Sequence, residues 1–241
     1  MYIPTLDLPL MWDSLPYLLS GLSYTVGIAV FSFLGGNVLG IMLTFLGMLE
    51  NPIIRGFVRG YLSFLRGVPA LVLLFLLYFG LPYQLSALSA AIICFTLTSS
   101  AFIGEIYRGS IAGVDRGQFD AAYALGLSFT KTMRLIILPQ AFRISVPALS
   151  NVAMDLLKGT SLAAMITIPD IFQKAKIVGG RTFDYMSMYV LVAIIYWLLC
   201  ILIEAGQKRL EQHFSKRFAA NEAVRQQKKS RGSSAAVNVS L

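Results

Sequence analysis

Residues 120–140 read "DAAYALGLSFTKTMRLIILPQ". This half-polar stretch stands between two apolar runs long enough to cross a bilayer, and its reading decides what the chain is. Asp120 to Leu125 favours helix, Gly126 permits a tight turn, Thr130 to Ile137 starts a second short helix, and Pro139 ends it. An ordinary helical hairpin satisfies that pattern. About 35 residues separate the flanking runs, however, and ordered connections of that length are usually functional.

The surrounding composition sets the solvent. Of 241 residues, 56% are hydrophobic and 13% charged, against about 25% charged in a soluble domain. So much apolar surface exceeds what one aqueous core can hide, and the bilayer takes its place. The net charge of +8 does not indicate nucleic acid, because the basic residues lie between and after apolar runs instead of along one aromatic-interleaved face. Cys94 and Cys200 both fall inside apolar runs and read as packing thiols. His213 has no metal-ligand companions, and neither a catalytic constellation nor a metal site is expected.

Five runs have membrane length: about 22–49, 61–81, 85–107, 144–168 and 188–205. The fold class is therefore an all-α integral membrane protein. Residues 1–21 form an interfacial segment, 22–205 the transmembrane domain, and 206–241 a basic polar tail expected to be disordered at its end. The first residues hold acids and no Lys or Arg, unlike a cleaved signal peptide, so the first span is expected to be retained. With the N-terminus outside and the C-terminus inside, sixteen of the twenty Lys and Arg residues fall on the cytoplasmic side. That orientation puts residues 120–140 in the cytoplasm, between spans three and four.

Polar groups within spans need a reason. Asn151, Asp155 and Lys158 share one helical face, followed by Thr160 and Ser161. Two readings stand side by side: a translocation path whose charges meet a zwitterion, or an Asp155–Lys158 pair that only stabilises the helix. Arg66 and Glu105 lie near the cytoplasmic ends of antiparallel spans and are expected to form an intramembrane ion pair. Glu204, near the end of the last span, reads as snorkelling or paired.

Asp120-Ala121-Ala122, Gly126, Ile136 and Leu138-Pro139 carry the spacing of E-A-A, three residues, G, nine residues, I, one residue, L-P. The stretch resembles the cytoplasmic EAA loop of ABC-transporter permease subunits, with Asp for Glu at 120. Three further stretches resemble the polar amino-acid branch of that family. "AFIGEIYRGSI" (101–111) is similar to A-Y-x-A-E-x-x-R-G, departing at Phe102 and Gly104. "FLRGVPALVLLFLLYFGLP" (64–82) is similar to F-R-G-T-P-x-L-V-Q-L-F, with Val68 and Leu73 as departures. "LLKGTSL" (156–162) is similar to L-L-K-D-T-S-L, with Gly159 replacing the acid. Together they cover roughly residues 18–212.

The resemblance implies a permease subunit of a binding-protein-dependent ABC importer in the bacterial inner membrane. Its partners would be an ATPase dimer, a second permease subunit, an extracytoplasmic amino-acid-binding protein and membrane lipid. The EAA loop would couple the permease to the ATPase. No G-x-x-x-x-G-K-[ST] loop occurs in the chain, so ATP-Mg would be bound by the ATPase, and this chain binds no cofactor. The solute would be a polar amino acid, and residues 172–189 are similar to cystine-type permeases. Two alternatives belong to other classes: a transporter driven by an ion gradient, and a membrane scaffold or sensor.

Overall fold

The computed structural model describes residues 5–237, with side chains described up to residue 210 and at residue 212. The described residues form helices joined by short connections, with no strand among them. In chain order they are α1 (Leu8–Leu19), α2 (Leu22–Met48), α3 (Pro52–Gly67), α4 (Ala70–Phe79), α5 (Ala87–Ala112), α6 (Arg116–Ala124), α7 (Phe129–Thr132), α8 (Leu138–Gly159), α9 (Ile171–Thr182) and α10 (Tyr185–Val237). A π-turn at Met133–Ile137 joins α7 to α8, and a 3₁₀ segment at Thr160–Ile166 continues α8.

Four stretches are long and apolar enough to cross a membrane: α2, α5, the rod from Phe129 to Ile166, and the first part of α10. The run at 61–81, expected as a straight span, is instead two helices bent by 101°. The break follows from Pro69, which has no N–H to extend α3 and drives the residue before it out of the helical region. Val68 accordingly adopts φ −92°, ψ 131°. Counted as one span, the bent pair restores five. The last helix also differs from expectation. α10 continues through the polar segment to Val237, where composition favours disorder; Lys, Gln, Arg and Ala in that stretch are good helix formers. His213 lies outside the described side chains.

The centre of the bundle is the pairing of α2 with α5. A Cβ placed on Gly36 would sit 2.2 Å from the Ser99 hydroxyl, and one on Gly40 would sit 2.8 Å from Ile103 and 3.0 Å from the Gly104 nitrogen. The absent side chains let the two backbones meet, which is how helices associate in a solvent as apolar as their own surfaces. Hydroxyls join the contact. Thr44 donates to the carbonyls of Gly40 (2.8 Å) and Gly104 (3.1 Å), and Tyr107 donates to Asn37 at 2.7 Å. α3 joins through Tyr61, 2.8 Å from the Ser100 hydroxyl. The bend is held where Cys94 lies 3.4 Å from the Ala70 carbonyl. Both cysteines are free thiols.

Outward-facing Phe31, Leu34, Val38, Trp197 and Leu202 are exposed, as lipid contact requires. Helices satisfy their own backbone groups, so this apolar surface carries no hidden hydrogen-bond cost in a bilayer. Beyond Ile203 the chain forms a separate unit, in which Lys208 pairs with Glu204 at 2.7 Å. Glu204 is thus paired along its own helix.

The α2–α5 contact generates a paired test. Gly40→Leu should cost about 1–3 kcal/mol or more by forcing the helices apart and should sharply lower the yield of monodisperse protein. Gly27→Leu, on the same helix with nothing within 4 Å of its Cβ, should leave yield and melting temperature unchanged. Equal melting temperatures for the two variants would contradict the packing role of Gly40.

Candidate functional site: the 115–141 hairpin and the polar face of α8

The hairpin is built by local rules. Asp115 caps α6, accepting from the Gly117 nitrogen at 2.6 Å. The helix closes with Leu127 N donating to Ala122 O (3.1 Å) and Gly126 N to Tyr123 O (2.9 Å), bonds of the kind that end a helix at a left-handed glycine. Gly126 has φ +72°, and nothing lies within 4 Å of where its Cβ would be. Glycine stands there because of backbone conformation, not space.

The two alanines of the motif separate. Ala121 is exposed, whereas Ala122 is 1% exposed on a helix that packs against the π-turn. Ala122 thus serves the hairpin's own closure, and Ala121 is the one of the two that faces outward. Beneath the hairpin, Val114, Met133, Ile137 and Ala141 form a buried cluster with Ile111, Phe119, Ile136 and Leu138 against it. Ile136 and Leu138 are half-buried, and Pro139 is exposed. Facing outward are Tyr123, Leu125 at 79% exposure, Phe129 and Leu135 at 64%. Asp120 is exposed and borders a cleft lined by Arg108, Arg116 and Phe119. An apolar, acid-flanked knob therefore projects from one end of the bundle.

Along α8 the polar residues also divide. Lys158 Nζ lies 2.8 Å from Asp155 Oδ1, with side chains 57% and 73% exposed. The pair forms and stays accessible, so pairing does not remove it from an open face. Asn151 is exposed beside it. Asp155 and Gly159 border a cleft of about 240 Å³ walled by Phe95, Thr98, Ser99 and Phe102 of α5. Ser161 is half-buried and donates to the Lys158 carbonyl at 2.8 Å. Thr160 does not share the open face: it is fully buried and donates to the Leu157 carbonyl at 2.7 Å.

Glu105 and Arg66 do not pair directly. Glu105 binds Arg108 one turn along α5, and Arg66 donates Nε to the Leu62 carbonyl at 3.1 Å. The side chain that leans back one turn along its own helix reaches a partner before it can span the gap between helices.

Sequence reasoning missed Asp170. It is fully buried and caps α9, accepting from Gln173 N at 2.8 Å. The Tyr196 hydroxyl lies 3.5 Å from its other oxygen and 3.5 Å from the Thr160 hydroxyl. Thr25 Oγ1 accepts from the Ile171 nitrogen at 3.4 Å. The chain packs this closely because Gly21 leaves room: a Cβ there would lie 2.6 Å from the Asp170 carbonyl carbon. Asp170 with Gln173 three residues on is a legible helix-start signal, but its burial depends on α2 and α10.

Burial raises the Asp170 carboxyl to about 6 from 3.8. A raised folded-state value favours the protonated form, so its stability contribution is full below about pH 3.8 and is lost as pH rises through about 6. The span amounts to on the order of 3 kcal/mol. Thermal denaturation of the purified chain between pH 4 and 7.5 should show this slope, and Asp170→Asn should flatten it. An identical slope in the variant would refute the assignment.

Residues 36–216 match the family described as binding-protein-dependent transport system inner membrane component. The chain is 48% identical over 206 residues to the probable amino-acid ABC transporter permease protein YckA of Bacillus subtilis (strain 168), covering 84% of this chain and 91% of that one. It is 35% identical over 224 residues to the L-cystine transport system permease protein TcyB of the same organism, covering 89% and 96%. Among solved structures it is similar to a crystal structure of an amino acid ABC transporter with histidines, at TM-score 0.82 and 30% identity, covering 87% and 99%. The MetNI methionine ABC transporter, at TM-score 0.71 and 20% identity over 86% and 98%, shares the fold. This chain belongs to the binding-protein-dependent transport system inner membrane component family, as a multi-pass, non-enzymatic permease subunit of an amino-acid ABC importer whose ATPase is a separate subunit.

Proposed function

We propose that this permease imports a polar amino acid handed over by an extracytoplasmic binding protein, and that the 115–141 hairpin docks on the ATPase in the cytoplasm. The observation that carries the reading is the exposed knob of Ala121, Tyr123, Leu125 and Phe129, fixed to the end of α8 by a buried cluster. A rigid foot of this kind can pass on the movement of a partner. Asp120 flanks it with a carboxylate able to meet a basic group; Ile136, Leu138 and Pro139 tie it to α8.

ATP-Mg sits in the ATPase dimer and not in this chain. A second permease subunit faces the open side of α8, so that Asn151, Asp155 and Lys158 of this chain border a shared path. An exposed carboxylate and ammonium 2.8 Å apart can exchange partners with the amine and carboxylate of a zwitterion without leaving either charge bare. Alternating access then needs no covalent step. Cystine is the first solute to test, on the likeness to an L-cystine permease and on residues 172–189. The positive-inside pattern supports an external N-terminus and a cytoplasmic hairpin.

Vesicle uptake tests the reading. ATP together with the binding protein should drive accumulation; uptake driven by an ion gradient alone would refute it. Cytoplasm-specific reporters fused after Gly117 should be active and those after Leu81 or Gly179 silent, with activity at Gly179 overturning the orientation.

Gly126→Val forces a branched residue into a left-handed conformation, at about 1–2 kcal/mol, and Ala121→Trp enlarges the exposed face. Both should leave the spans inserted and reduce co-purification of the ATPase, whereas Asp120→Glu should be nearly neutral. Normal co-purification and uptake in Gly126→Val would remove the hairpin from the coupling role. Lys158→Ala should lower uptake in a complex that still assembles and hydrolyses ATP; loss of the protein from the membrane would instead make the pair structural.

A further inference from the structure

The rod that leaves the hairpin departs from α winding at two places. It begins as α7, widens to a π-turn over Met133–Ile137, becomes α8, and tightens to 3₁₀ over Thr160–Ile166. The wide turn is closed by Leu138 N donating to the carbonyl of Met133, five residues back. Such turns are rare inside helices and interrupt an otherwise regular ladder with one extra residue.

Its cause is local. Pro139 has no N–H to give to the Leu135 carbonyl, and in α register its ring would crowd that carbonyl. Gln140 works on the same region. Its side-chain amide donates to the Ile136 carbonyl at 2.9 Å, inside the turn, and lies 3.4 Å from the Gln118 side-chain oxygen on α6. One side chain thus clips the hairpin helix to the widened turn. At the turn's edge Thr132 is fully buried and its hydroxyl has no hydrogen-bond partner. An unmet buried hydroxyl calls for an explanation such as stored strain.

We propose that the Met133–Ile137 π-turn is a register switch between the hairpin and α8, with Gln140 as its catch. Closing the turn to α register removes one residue of slack. α8 then turns relative to the hairpin by as much as one residue's worth, about 100° with a 1.5 Å advance. That value is an upper bound: Leu138 and Ala141 of α8 share a buried cluster with Met133 and Ile137, so a smaller rotation within that packing swings the face bearing Asn151, Asp155 and Lys158. The buried cluster beneath the hairpin includes Met133 and Ile137, so movement of the knob acts on the turn directly. The inference rests on the coupling role proposed for the hairpin and assigns the element that converts its movement into rotation.

The test uses the chain assembled with its ATPase in lipid vesicles, with binding protein and ATP. Pro139→Ala restores the missing donor and should favour the α register; Gln140→Leu removes the catch. In the unaltered complex, amide exchange of residues 129–141 should differ with and without trapped nucleotide. In Pro139→Ala it should be slow in both conditions. Each variant should retain the ATPase on co-purification and lose about fivefold or more in solute imported per ATP hydrolysed.

The switch is overturned if exchange in the unaltered complex ignores nucleotide, or if both variants import per ATP as the unaltered complex does. Loss of both variants from the membrane also overturns it, by making the turn a folding element alone. Absence of ATP-driven uptake by the unaltered complex would sink the importer reading and the switch together; normal uptake there with unaffected variants sinks the switch alone.

Discussion

The approach of α2 to α5 at Gly36 and Gly40 is the constraint on which the other helices depend. In a bilayer the hydrophobic effect gives no reason for one apolar helix to prefer another over lipid. Close dispersion contact and interhelical hydrogen bonds must do that work, the latter at about 0.6 kcal/mol each on average. Two glycines bring the backbones together, and Thr44 can then reach carbonyls on both helices. The wall so formed receives α3 through Tyr61 and the bent α4 through Ala70. It also presents Thr98, Ser99 and Phe102 to the cleft that Asp155 borders. The face of α8 is therefore placed by a contact in which α8 takes no part.

The two ends of α8 are held by different physics, and the difference suits a transport subunit. At the hairpin end an apolar cluster packs α6 against the π-turn and the start of α8, in a region whose outer surface is also apolar. Dense apolar packing of this kind has few soft modes. At the other end Asp170, Tyr196, Thr160 and Thr25 gather polar groups at hydrogen-bond distances near the upper limit, 3.4 to 3.5 Å for three of the contacts. Bonds that long are weak, and a carboxyl raised by burial to about 6 is costly to keep ionised there. The docking of α9 is thus conditional, while the hairpin is firm.

Much of this was legible in the primary structure. Hydropathy alone requires a membrane protein, because a chain with so few charged residues has no aqueous core large enough for its apolar ones. The first, third and fifth expected spans appear close to their expected bounds, whereas the fourth, expected from about 144, belongs to a rod that already begins at Phe129. Gly126 was legible as a turn, since a glycine between two helical patterns is the residue a left-handed closure requires, and the spacing of the hairpin motif was sufficient to point to the family.

Other features waited on the tertiary structure, for one reason: they depend on which neighbour lies across a helix, and linear spacing is silent on that. The second span bends by 101° because Pro69 breaks it where Ala70 finds a partner on α5. Ala121 and Ala122 are the same residue type in adjacent positions, and only the packing of α6 on the π-turn turns one outward and the other in. Arg66 and Glu105 are opposite charges on helices that touch, yet each satisfies itself within its own helix. Asp170 looks in sequence like any helix cap and becomes a buried titratable group only when α2 and α10 close over it. Sequence determined the solvent, the helices and the hairpin motif, because these follow from side-chain polarity and backbone preference. The fold decided which side chains of those helices are open to a partner or a solute, because exposure is a property of pairs of surfaces and not of one chain segment.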